Sequence, residues 1–183
     1  MPVKELRYLL PLLLAACAAP GVAPPGTSTR TLVVVDKTAR QLALYHGAEL
    51  AGTWPVALGR GGPVGPKQVE GDVKTPEGWY STSDKPASDY YGAIAIHYPN
   101  IEDADLALAD GRIDALTRDQ IVAALVAGER PAQDTPLGGE ILIHGGGAGA
   151  DWTLGCIALA DDHIDELRDG LSAGMRTDIL ITR

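Results

Sequence analysis

The strongest constraint on the fold is a series of short strand-like runs, each separated from the next by turn residues or by a helical pattern. Most of the runs are rich in β-branched residues or alternate along the chain, which is typical of strands with one buried face. They are TLVVVD (31–36), QLALYH (41–46), TWPVAL (53–58), AIAIHY (93–98), EILIH (140–144) and RTDILIT (176–182). Helical patterns cover 101–112, 117–128 and 163–171, and Thr117 with Gln120 fits a capping box. The sequence therefore predicts a mainly β fold, a sandwich or barrel decorated by two or three short helices.

Composition limits the class of protein further. The chain has 183 residues, of which 45% are hydrophobic and 21% charged, enough for one packed domain and too apolar for a disordered chain. Its formal net charge of −9 argues against a nucleic-acid partner, which would need a basic face.

The N-terminus has the features of an export signal. Lys4 and Arg7 precede an apolar run over 8–14, small residues follow, and then comes Cys17. The run is too short to span a bilayer as a helix. Leu-Ala-Ala-Cys (14–17) resembles the lipobox of bacterial lipoproteins, which implies a lipid anchor on Cys17. An ordinary signal peptide with an incidental cysteine is the alternative, as is a Cys17–Cys156 disulfide.

The domain organisation follows from this signal. We predict a signal peptide at 1–16, a lipidated cysteine and Pro- and Gly-rich tether at 17–30, and one globular domain at 31–183. Ala18 stands where an Asp would favour retention at the inner membrane in the lipoproteins it resembles. The expected location is therefore periplasmic, with anchoring to the outer membrane.

Two residues carry the candidate chemistry. His144 ends an apolar strand, and Cys156 follows Gly155 after a glycine-rich loop. A thiol nucleophile needs a base and nearby backbone N–H groups for the developing oxyanion, and a histidine and a Gly-Cys turn are suited to supply them. A buried cysteine and a satisfied core histidine are the structural alternative.

These segments resemble the L,D-transpeptidase catalytic domain, or YkuD-like, family. The resemblance rests on HG at 144–145, TLGCIAL at 153–159, GDVKTPEGWY at 71–80 and the opening hairpin at 31–47, and it covers about 31–183. It implies Cys156 as nucleophile, His144 as general base and acid, and the N–H groups around Gly155 and Cys156 as oxyanion site. Thr153 matches a residue that helps to order the site, and no metal or organic cofactor is implied.

The implied substrate is the stem peptide of peptidoglycan, cut after diaminopimelate with D-Ala leaving and the acyl group passing to an amine. Leu154 and Ala158 replace the His and Arg of the family signature, as in a divergent YafK-like branch. Two alternatives stay open: hydrolysis of diaminopimelate bonds, including release of a wall-linked lipoprotein, and a non-catalytic wall-binding lipoprotein.

Other residues are weaker candidates for a substrate groove. Gly145 and Trp152 adjoin the two motifs, and Tyr91 and its neighbour Tyr90 are further candidates, but the aromatic rings could equally pack in the core. His97 lies on an alternating strand and is more simply a satisfied strand histidine. The spacing of the histidines and Cys156 matches no standard zinc pattern.

Overall fold

One mixed sheet forms the body of the protein. The structure, a computed structural model, describes residues 30–171 and 173–183. Eight strands run in the order β3-β2-β1-β8-β4-β5-β6-β7. The strands are β1 (Thr31–Asp36), β2 (Gln41–His46), β3 (Glu49–Pro55), β4 (Gly78–Asp84), β5 (Ile94–Ile96), β6 (Leu142–His144), β7 (Ile157–Ala158) and β8 (Asp178–Thr182). The pairs β1–β8 and β6–β7 are parallel, and the other neighbours are antiparallel.

Three α-helices accompany the sheet, α1 (Ile101–Ala109), α2 (Ala115–Val126) and α3 (Asp161–Gly170). The predicted mainly β fold with two or three helices is therefore confirmed. None of the helices in the described part of the chain is long and apolar enough to cross a membrane. The signal peptide, Cys17 and most of the tether lie outside the described residues and stay predictions.

Alternation explains the opening hairpin. Val33 and Val35 of β1, with Leu42 and Leu44 of β2, are buried in the core, while the residues between them are more exposed. Burying one face of each strand removes apolar surface from water and fixes the pairing register.

Two sequence predictions need correction. The expected strand at 53–58 begins earlier, because β3 spans Glu49–Pro55 and the residues after it leave the β2 ladder. The expected cap at Thr117 is wrong: α2 begins after Asp114, whose side chain accepts a hydrogen bond from the Thr117 N–H. A carboxylate is as good an N-cap as a hydroxyl, so the helix can begin one turn earlier at Asp114.

The segment after β3 brings the two ends of the sheet together. Ala57 and Ala158 exchange backbone hydrogen bonds of 2.8 and 2.9 Å, which joins the chain beyond β3 to β7 at the other edge. Next to it, Gly59 forms a parallel bridge with Thr153. The sheet therefore curls toward a barrel, and backbone groups of Ala158 at the β7 edge that would otherwise be unpaired are satisfied.

A fully buried lysine, Lys37, fixes the segment between β3 and β4 by hydrogen bonds. Lys37 Nζ donates to the carbonyls of Gly65 and Thr75 at 2.8 Å each, and to Glu77 at 2.9 Å. Burial lowers the pKa of Lys37, and its bond to Glu77 opposes that effect. All three donors of the ammonium are thus used, which compensates its removal from water.

Lys37 is expected to be a large contributor to stability. Replacing it in Lys37→Met leaves Glu77 and two carbonyls without their donor, so we expect a loss of roughly 3 kcal/mol in the free energy of unfolding. Urea denaturation of residues 18–183 measures this.

The matched control for Lys37→Met is Arg118→Met, which removes a cation paired with Asp105 and Asp119 at the surface. We expect this control to change stability by less than about 1 kcal/mol, because exposed pairs contribute little. Equal effects in the two variants would show that the Lys37 contacts are not a special source of stability.

Candidate active site

His144 is the last residue of β6 and is held in one orientation. Its side chain is buried, with 1% of the residue exposed, and its Nδ1 lies 2.5 Å from the carbonyl oxygen of Gly145. Because a carbonyl only accepts, Nδ1 carries the proton, and Nε2 is then the basic nitrogen of the neutral ring. Burial lowers the pKa of His144, and the bond to Gly145 partly opposes this.

Two aromatic rings enclose the imidazole. Tyr90 stacks on it with ring centroids 4.4 Å apart, and Trp152 meets it edge-on at 5.6 Å. Trp152 Nε1 donates to the carbonyl of Gly147, which fixes the indole. Both rings remain partly exposed, so they shield His144 from water and also form part of the surface around it.

Cys156 immediately precedes β7 and is half-buried. Its thiol donates to the backbone carbonyl of Glu140, with 3.4 Å between the two atoms, and its side chain packs against Leu142. Burial raises the pKa of the Cys156 thiol, although a hydrogen bond from the Leu142 N–H favours the thiolate. The resting state is therefore a neutral thiol.

Thr153 shapes the turn that carries the cysteine. Its hydroxyl donates to the Cys156 carbonyl at 2.7 Å and accepts from the Gly155 N–H at 3.1 Å. Gly155 has φ +139°, and a Cβ there would lie 2.8 Å from the carbonyl oxygen of Lys74. Only glycine fits this position. The Gly155 N–H, which was expected to contribute to the oxyanion site, donates to the Thr153 hydroxyl in this structure.

Asp151 fastens the same loop to the opening hairpin. It accepts from the Leu58 N–H at 3.0 Å and from two nitrogens of Arg40, the shorter bond being 2.8 Å. Its partners are distant in sequence and only the folded chain brings them near.

Cys156 and His144 line one cavity of about 600 Å³. Thr153, Trp152 and Leu154 line it too, together with the loop that contains Lys67 and the residues after β4. No hydrogen bond joins Cys156 to His144 in the described part of the chain. Catalytic hydrogen bonds of this kind often form only when substrate binds.

Three predicted groove residues lie elsewhere than expected or have another role. The Tyr91 hydroxyl donates to Asp165, and the Tyr91 backbone carbonyl accepts from the Gly145 N–H. Tyr91 and Gly145 therefore stabilise the turn after His144 and do not line the cavity. His97 lines a different cavity of about 400 Å³, and its Nε2 shares a hydrogen bond with Ser83. His97 directly follows β5 and is therefore a hydrogen-bonded histidine that does not line the Cys156 cavity.

Two further charged residues line the cavity and were missed. Lys85 and Glu140 form an ion pair of 3.2 Å on its wall. Neither belongs to a motif, and only the fold brings the end of β4 beside the start of β6. Within 30–171 and 173–183, no group of three or more His, Cys, Asp or Glu is placed to hold a metal ion.

Comparison with known proteins gives a consistent result. The family model of the YkuD L,D-transpeptidase catalytic domain matches residues 30–179. A relative from Escherichia coli strain K12, named "Putative L,D-transpeptidase YafK", is 31% identical over 123 residues, which is 55% of this chain and 50% of the relative.

Two solved structures share the fold. The helical cell shape determining protein Pgp2 from Campylobacter jejuni has 25% identity and a TM-score of 0.57, over 84% of this chain and 48% of that one. Bd1075 from Bdellovibrio bacteriovorus, at 24% identity and TM-score 0.52, covers 84% of this chain and 48% of its own, and shows the fold alone. The chain spans about half the length of these relatives. It belongs to the YkuD family of L,D-transpeptidase catalytic domains.

Proposed function

We propose that this protein is a peptidoglycan L,D-transpeptidase that uses Cys156 as its nucleophile. The substrate is a stem tetrapeptide: the carbonyl of diaminopimelate is attacked, D-Ala leaves, and the acyl group passes to an amine of another stem. The observation that carries the proposal is the presence of Cys156 and the oriented base His144 in one cavity, in a chain of the L,D-transpeptidase family.

In the first step the thiol turns from the Glu140 carbonyl toward Nε2 of His144. Nε2 accepts the thiol proton as Sγ attacks the substrate carbonyl, and a tetrahedral oxyanion forms. The imidazolium is stabilised by the bond from Nδ1 to the Gly145 carbonyl, which also keeps Nε2 aimed at the reacting atoms.

The oxyanion needs backbone donors. Because the Gly155 N–H is used by Thr153, we assign the N–H of Cys156 itself to this role. Thr153 then acts as a positioning residue, since its hydroxyl fixes the carbonyl of Cys156 and thereby the plane of the neighbouring peptide groups.

The second half reverses the proton transfers. The imidazolium gives its proton to the departing amine of D-Ala, which leaves a thioester on Cys156. The acceptor amine then loses a proton to Nε2 as it attacks the thioester carbonyl. Collapse of the intermediate expels the thiolate, which regains a proton from His144.

Apolar residues that line the cavity favour an amine over water as the acceptor of the acyl group. Leu154, which is 62% exposed, lines the cavity together with the partly exposed rings of Trp152 and Tyr90. Apolar groups at the rim hold few waters close to a thioester, whereas an acceptor stem peptide could pack against them. Hydrolysis by the same acyl-enzyme is the competing outcome of the experiment below.

Loss of the nucleophile tests the reaction. Cys156→Ala should lower the rate of D-Ala release by roughly 10³-fold or more, because no acyl-enzyme can form. The chain 18–183 is incubated with a diaminopimelate tetrapeptide and with purified sacculi, and the products are identified by mass spectrometry.

New diaminopimelate–diaminopimelate dimers from the unaltered chain alone would support the transpeptidase. D-Ala release or loss of existing links without dimers would assign a hydrolase. A Cys156→Ala variant that matches the unaltered chain in every product would overturn catalysis by Cys156 and leave wall binding. Equal thermal unfolding of the two proteins controls for folding.

The pH dependence follows from the burial of His144. The ring must be neutral to accept the thiol proton, so activity falls as the pH decreases through its pKa, which burial lowers. We therefore expect the acid limb of kcat/KM to lie below the usual histidine range. In Tyr90→Ala, which admits water to the ring, the limb should move to higher pH. Identical acid limbs would contradict this role of Tyr90.

We also propose that the mature protein is an exported lipoprotein, held in the periplasm by lipid on Cys17 and acting on wall peptides from the outer membrane. Labelled palmitate should be incorporated into the full chain and not into Cys17→Ser. Labelling of the variant would contradict the anchor without affecting the proposed chemistry.

A further inference from the structure

An ion triad lies on the wall of the Cys156 cavity. Lys85 Nζ is 3.2 Å from one carboxylate oxygen of Glu140, and Arg130 Nη1 is 3.2 Å from the other. The side chains of Lys85 and Glu140 are 30% and 57% exposed, and both line the cavity. This pair is therefore accessible to a ligand that enters the cavity.

The backbone of Glu140 fixes the triad relative to the nucleophile. Its carbonyl accepts from Cys156, its N–H donates to Gln133 at 2.8 Å, and its φ of +51° is unusual for a residue with a side chain. Such a conformation persists only where surrounding contacts hold it. The backbone of Glu140 is thus fixed beside the Cys156 thiol, and the ion pairs with Arg130 and Lys85 hold its carboxylate.

The triad has more donors than acceptors. It joins two cations to one carboxylate, and Glu140 is the ion-pair partner of Lys85 within the described residues. Nε and Nη2 of Arg130 are buried without a hydrogen-bond partner in the same part of the chain. Arg130 can therefore keep its ion pair with Glu140 while Lys85 releases Glu140 and binds an anionic group of a ligand instead.

We propose that Lys85 and Glu140 bind the zwitterionic end of the diaminopimelate side chain, an inference that rests on the proposed function. Lys85 binds the carboxylate of that end. Glu140, still held by Arg130, binds its ammonium. An α-amino acid carries these two groups on one carbon, so a cation and an anion 3.2 Å apart on the wall match their spacing.

The assignment makes Lys85 a specificity-determining residue. A stem peptide with lysine in place of diaminopimelate has the ammonium but not the carboxylate, and amidated diaminopimelate has lost the negative charge. Both leave Lys85 paired with Glu140 as in the free protein. Lys85 should therefore contribute to turnover of the diaminopimelate peptide only.

The test compares the unaltered chain and its variants on three substrates that differ only at the third position. Release of D-Ala is measured for three tetrapeptides, with diaminopimelate, amidated diaminopimelate or lysine at the third position, using residues 18–183. Lys85→Met should lower kcat/KM for the diaminopimelate peptide by roughly tenfold to hundredfold, as expected for a lost charged hydrogen bond, and leave the other two nearly unchanged.

Two further variants serve as controls. Lys85→Arg keeps the charge and should restore most of the preference for diaminopimelate. Arg118→Met removes a cation that is paired at the α1–α2 surface and should change none of the three values. Thermal unfolding shows whether each variant is folded.

The outcomes separate the inference from the proposed function. If the unaltered chain releases D-Ala from none of the peptides, the proposed function fails, and the inference with it. If the unaltered chain is active but Lys85→Met lowers all three values equally, or none of them, the assignment of Lys85 is overturned while the reaction stands. The same holds if Lys85→Arg behaves like Lys85→Met.

Discussion

The ammonium of Lys37 is the interaction on which the position of the site depends. It binds residues that are far from it in sequence, and its acceptors at Thr75 and Gly65 both belong to the segment between β3 and β4. Thr75 in turn accepts from the Gly59 N–H, and the carbonyl of Lys74 lies against Gly155. A buried charge without these acceptors would be costly, so the contacts form together or not at all.

Closure of the sheet explains one departure from the family signature. Ala158, which stands where the signature has Arg, is fully buried, and both its backbone groups bond to Ala57. A guanidinium at this position would be placed in the closed wall rather than in the cavity. In the described part of the chain, the cations that line the cavity are Lys67, which is nearly fully buried and paired with Asp72, and Lys85, which is partly exposed.

The sequence predicted local structure better than tertiary detail. Alternation at Val33 and Val35 predicted the first strand, and the family motifs pointed to His144 and Cys156, which line one cavity. The sequence could not show that Asp114 rather than Thr117 caps α2, because both are good caps and packing decides between them. Nor could it reveal Lys85 or Glu140, whose proximity depends on the register of distant strands.

Glu140 joins the resting state of the nucleophile to the charge distribution of the cavity. Its carbonyl holds the thiol proton, and its carboxylate is held by two cations, so one residue contacts both the reacting atom and the charged wall. Burial opposes ionisation of Glu140, but the bonds from Arg130 and Lys85 outweigh it and lower its pKa. A ligand that breaks the ion pair between Lys85 and Glu140 therefore changes the contacts of the residue whose carbonyl accepts the hydrogen bond from the Cys156 thiol. Because the backbone of Glu140 is fixed by Gln133, such a ligand can change the partners of the carboxylate without displacing the thiol.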